Sequence, residues 1–71
     1  MLVMRDIFSS VVNRAGHDPK TNELHVEWKT GKTSVYSNVS PKKADEVLNA
    51  WSVGKSLYKK IKGAHDHRYL K

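Results

Sequence analysis

The chain has 71 residues, with 13 lysines and arginines against seven acids (formal net charge +6), 38% apolar residues and no cysteine. A chain this short makes one domain and buries only about 60% of its unfolded surface, leaving no room for a second domain. Without cysteine there is no disulfide framework and no cysteine-ligated zinc site, so the core rests on apolar side chains, with Trp28 and Trp51 the largest.

Residues 1–8, Met-Leu-Val-Met-Arg-Asp-Ile-Phe, read as an N-terminal arm. Arg5 and Asp6 break its apolar run, short of the ~7–15 residues of a secretion signal. No stretch reaches the ~18 apolar residues of a membrane span. The expectation is a cytoplasmic protein without a membrane partner.

A domain is expected over 9–64. Residues 9–17 alternate weakly and read as a first strand, followed by turn chemistry in Asp18-Pro19-Lys20-Thr21-Asn22. Glu23 to Lys29 alternates clearly: Leu24, Val26 and Trp28 point one way, His25, Glu27 and Lys29 the other. Thr30-Gly31-Lys32 makes a tight connection to a third strand, 33–39, with Thr33, Val35 and Val39 on one face and Tyr36 on the other.

Ser40 followed by Pro41 is an N-cap and first-position pair that opens a helix. Ala44, Val47, Leu48 and Trp51 at i, i+3, i+4 and i+7 form its apolar stripe. Ser52 caps a second helix with Val53, Leu57 and Ile61 on one face, and Gly63 stops it. Residues 65–71 read as a basic tail, held by Tyr69 and Leu70. The expected fold is α+β, a three-stranded antiparallel meander followed by two helices packed on one face. Leu24, Val26 and Trp28 meet Val47, Leu48, Trp51, Leu57 and Ile61. His25, Glu27, Tyr36 and Arg14 lie on the solvent side.

Charge is uneven along the chain. Residues 1–40 carry five basic and four acidic side chains, whereas residues 41–71 carry eight and three. Such a concentration suits a polyanion, although a charge of this size also serves solubility alone. Lys55, Lys59, Lys60 and Lys62 cover about half of the second helix, and Arg68 follows in the tail. Like charges at i, i+4 cost a few tenths of a kcal/mol unless an anion meets them. Ser52, Gly54 and Lys55 together suggest a phosphate seat at the helix start. The alternative is that Ser52 only caps and Gly54 only permits close packing. Tyr36 and Tyr58 are candidates for stacking on bases, with His25 and Tyr69 behind them.

Catalytic signatures are lacking: there is no Gly-x-Ser-x-Gly elbow, and Glu23 and Glu27 read as surface partners for lysines. His65-x-His67 with Asp66 offers at most two histidine ligands, so neither a metal nor another cofactor is expected.

One resemblance covers nearly the whole chain from Ser10 onward. The pattern is Ser10-x-Val12-x-x-Ala15-Gly16-His17-Asp18, Leu24-x-Val26-x-Trp28-x-x-Gly31, Tyr36-x-x-Val39, and Ala50-x-Ser52-x-Gly54-Lys55 with Ile61. It resembles the KTSC domain family, named for its occurrence at the C-terminus of some lysyl-tRNA synthetases and found also as small free-standing bacterial and phage proteins. The resemblance implies a small domain of unestablished function, suspected of binding RNA from the synthetase context. The family's Tyr-x-Tyr is Ser34-Val35-Tyr36 here, and a usual tyrosine at the end of the first strand is His17, so the aromatic platform is thinner.

Together these readings give a non-enzymatic module that binds nucleic acid, RNA before DNA, through a basic C-terminal helix. The alternative is docking of a protein, an acidic one by charge, on the exposed sheet face or a sheet edge.

Overall fold

The structure, a computed structural model, describes Leu2 and residues 4–70. Met1 and Val3 of the expected arm and Lys71 of the expected tail lie outside the described residues. An antiparallel sheet holds five strands in chain order, β1 (Arg5–Asp6), β2 (Val12–Asp18), β3 (Glu23–Trp28), β4 (Thr33–Tyr36) and β5 (His67–Leu70). Between β4 and β5 the chain forms α1 (Pro41–Leu48) and α2 (Val53–Ser56), which widens into a π-helical segment, Leu57–Ile61. The expected meander of three strands is therefore extended at both ends. Short edge strands arise within the stretches that read as arm and tail.

Pairing register shows which side chains share a face. His17, Leu24, Tyr36 and His67 form one cross-strand row, and Ala15, Val26, Ser34 and Tyr69 the next; these rows face the helices. They meet Ala44 and Val47 of α1, Val53 of α2, and Leu57 and Ile61 of the π segment in one core. Burying apolar area of this kind is the main source of stability in so small a domain.

The weak alternation of the first strand has a physical cause. Val12 and Ala15 both face the core although their spacing is odd, and the register shifts between Val12 and Arg14. A bulge there absorbs one residue and restores the inward phase.

Two expectations about the core are corrected. Tyr36 points to the helix side and is 4% exposed, while Val35 takes the outer face beside His25 and Arg68. The inward Ser34 is tolerated because its hydroxyl accepts from Trp28 Nε1 at 2.7 Å. Asn38, with φ of 58°, then breaks the alternation and lets Val39 join the core on the side of Tyr36. Trp51 is fully exposed, at 104%, because α1 ends at Leu48 with Asn49 as its cap, so the i+7 position falls beyond the helix.

Several local signals read from the sequence do form. Ser40 Oγ accepts from Lys43 N at 3.2 Å with Pro41 in the first turn, and Ser52 Oγ accepts from Lys55 N at 3.4 Å. Gly31 carries the β3–β4 turn with φ of 96°. Gly63 takes φ of 85° just after the end of the π segment and turns the chain toward β5. Among the described residues, no helix is long and apolar enough to cross a membrane.

Candidate functional site

From α2 through the π segment to its cap, four side chains point outward. Lys55, Tyr58, Lys59 and Lys62 follow i, i+3, i+4 and i+7, and all four are exposed. Val53, Leu57 and Ile61 face the core instead. Tyr58, 69% exposed, carries the Lys62 ammonium 4.6 Å from its ring centroid. Among the described residues, no carboxylate lies within ion-pair distance of Lys55, Lys59 or Lys62.

The other basic residues expected at the site part company with this stripe. Lys60 turns toward α1, with its ammonium 3.8 Å from Glu46. Arg68 projects from the opposite face of the sheet, where its guanidinium pairs with Glu23 at 3.0 Å. At Gly54 the close-packing alternative accounts for the residue: an added Cβ would come within 2.9 Å of Val11 Cγ2. Ser52 caps α2 through its hydroxyl, as both alternatives require.

Beside the stripe lies a cleft of about 1020 Å³ between the π segment and the β4–β5 half of the sheet. Trp28, Tyr36, Tyr58 and Tyr69 supply its aromatic lining, and Lys29, Lys32 and Lys62 its charge. None of the residues that line it is acidic. Tyr69, 61% exposed, stands across from the helix, with Lys32 Nζ 5.4 Å from its ring centroid. A second lysine–tyrosine pair thus lies on the strand side. His67 packs edge-on against Tyr69 at 4.5 Å and tilted against Tyr36 at 5.0 Å, tying the β5 aromatics to the core. Tyr36 is too buried to offer a stacking face, and burial raises its hydroxyl above the ordinary 10.0.

Deeper polar groups are already engaged. Trp28 Nε1 is given to Ser34. Lysine has only donors, so His65 Nε2 accepts from Lys43 Nζ at 2.8 Å and its Nδ1–H donates to the Ser37 carbonyl at 3.0 Å. These bonds make His65 a brace between α1 and the end of β4. His17 donates to the Val39 carbonyl at 2.6 Å, a structural task. His25 sits on the outer face with Nε2 3.6 Å from Glu23, away from the cleft.

The outer sheet face carries ion pairs instead of a basic surface. Arg14 grips Glu27 across β2 and β3 with contacts of 2.6 and 3.2 Å, and this hydrogen bonding holds the Glu27 carboxyl below its ordinary range. Asp18 is lowered chiefly by accepting from the Lys20 backbone N–H at 3.0 Å.

Reading residues alone missed Lys29, Lys32 and Trp28 as cleft residues and placed Tyr69 only loosely. The available signal was the alternation His67-Arg68-Tyr69-Leu70, short enough to pass for a tail.

A crystal structure of a KTSC domain protein from Yersinia pestis is similar over 100% of both chains, with a TM-score of 0.92 and 24% identity. That likeness extends the shared fold across all five strands. None of the curated proteins matches the sequence. The family model of the KTSC domain matches residues 8–65, most of the chain, and the chain belongs to the KTSC domain family.

Proposed function

We propose that this chain is a non-enzymatic module that binds single-stranded nucleic acid, RNA before DNA. The observation that carries the reading is the juxtaposition of an acid-free lysine stripe with an aromatic cleft edged by further lysines. Ammonium groups neutralise phosphates, and aromatic faces stack unpaired bases, the combination used by proteins that hold single strands. The like charges of Lys55 and Lys59 cost a few tenths of a kcal/mol, a cost that a bound anion removes. RNA is placed before DNA only on the lysyl-tRNA synthetase context that the sequence resemblance implies.

Fluorescent single-stranded RNA titrated across salt tests the proposal. Three to five neutralised phosphates give log K against log salt a slope of about −2 to −4. Lys55→Glu with Lys59→Glu should weaken binding about 10-fold or more without loss of folding. Wild-type affinity in that folded double variant would sink the reading.

A second reading, docking of a protein, is favoured by a separate observation. Phe8 and Trp51 are both fully exposed, at 106% and 104%, and line a shallow hollow with Ile7 and Leu48 at the β1 side of the molecule. Binding that survives high salt and is abolished by Trp51→Ala would select this alternative.

A further inference from the structure

We infer that the cleft is a nucleotide pocket: it takes one unpaired base against Tyr58 and Tyr69, with the attached phosphate between Lys32 and Lys62. The inference rests on the nucleic-acid reading just given and names the unit that the site grips.

Four observations carry it. The cleft volume, about 1020 Å³, lies just above the range of ligand sites, roughly 300 to 1,000 Å³, so a nucleotide fits. Tyr58 and Tyr69 stand on opposite elements, one on the π segment and one on β5, and both remain largely exposed. Each ring already holds an ammonium near it, at 4.6 and 5.4 Å, so a phosphate drawn to either lysine brings its base to a ring. No carboxylate lines the space to repel that phosphate.

The deep polar groups are spent on each other, with Trp28 on Ser34 and His65 on Lys43 and Ser37. The polar groups left at the rim are the Ser10 and Thr30 hydroxyls, His67 and the lysine ammoniums, so ring faces and charge make up most of what a base meets. The pocket should accept all four bases with similar affinity, because stacking is available to every base.

The test uses the ¹⁵N-labelled full chain, with AMP, adenosine and inorganic phosphate as free probes. An eight-nucleotide oligoadenylate and an abasic oligomer of equal length supply the strand arm. Trp28 Nε1–H reports from inside the cleft and Trp51 Nε1–H, outside it, serves as the control. AMP should move the Trp28 signal at lower concentration than adenosine or phosphate, and the oligoadenylate should bind more tightly than its abasic counterpart. Tyr58→Ala or Tyr69→Ala should each weaken AMP about 5- to 150-fold, the worth of one stacked base, while Tyr58→Phe keeps the affinity.

AMP acting no better than phosphate, or alanine variants binding like wild type, overturns the inference. Equal binding of intact and abasic oligomers with the expected salt slope also overturns it, and leaves the nucleic-acid reading standing. AMP bound in the cleft with neither oligomer bound upholds the pocket for free nucleotides and removes the RNA reading.

Discussion

Trp28 donates through Nε1 to Ser34 Oγ at 2.7 Å, and Ser34 is 1% exposed, so Trp28→Phe removes the partner of a buried hydroxyl. That costs about 1–3 kcal/mol, measured by urea denaturation. Trp51→Ala should change stability by less than about 0.5 kcal/mol, while Leu57→Ala costs about 2–5 kcal/mol. Loss of several kcal/mol in the Trp51 variant would contradict its placement. The sequence alone assigns both tryptophans to the core because an i+7 spacing is visible and the point where a helix stops is not. Asn49 ends α1 two residues before the pattern does. The inward turn of Tyr36 was illegible for a related reason: Val35 is itself fully buried, on the outer face, and only the β3–β4 register tells which of the two meets the helices.

Glu27 gives a pH dependence whose sign follows from its lowered carboxyl. A group whose folded pKa is depressed contributes stability above its unfolded value, here 4.5, and loses it as pH falls through the lower folded value. Asp18 acts in the same direction below 3.8. The wild-type urea midpoint should therefore fall as pH drops below about 4.5, and Glu27→Gln should flatten that decline. An identical slope in the variant would show that the Arg14 pair does not contribute. Both groups are half-buried at the surface and still reached by solvent, so the effect is screened by salt.

At the level of elements, α2 and the loop before β2 meet at Gly54 and Val11. Gly54→Ala gains helix propensity of up to about 1 kcal/mol but forces its new methyl toward Val11 Cγ2, 2.9 Å away. The same substitution in a Val11→Ala background should therefore be more favourable by on the order of 1 kcal/mol. Strict additivity of the two changes would mean that the glycine serves something other than this contact. Helix caps and the β3 alternation were readable because their causes are local. The edge strands were not, because β5 pairs with β4 across more than thirty residues and nothing in His67–Leu70 names its partner. The lysine–tyrosine pairs were hidden for the same reason: Lys32 meets Tyr69 only once β5 is in place.

On the scale of the whole molecule, the excess charge of the C-terminal third is divided by the fold. Arg68 and Lys60 go to carboxylates on other surfaces, and Lys55, Lys59 and Lys62 are left beside the cleft, where Lys29 and Lys32 join them from the strand side. The sequence placed the basic residues along a whole helix; the sheet concentrates the ones without carboxylate partners at one border. The most direct measurement is amide shift mapping of the ¹⁵N-labelled chain with single-stranded RNA at low salt. The expected result is a contiguous set of shifts over Lys55, Tyr58, Lys59, Lys62 and Tyr69, saturating below about 100 μM and fading as salt is raised. Shifts absent at that concentration, or confined to the side of Phe8 and Trp51, would contradict the account.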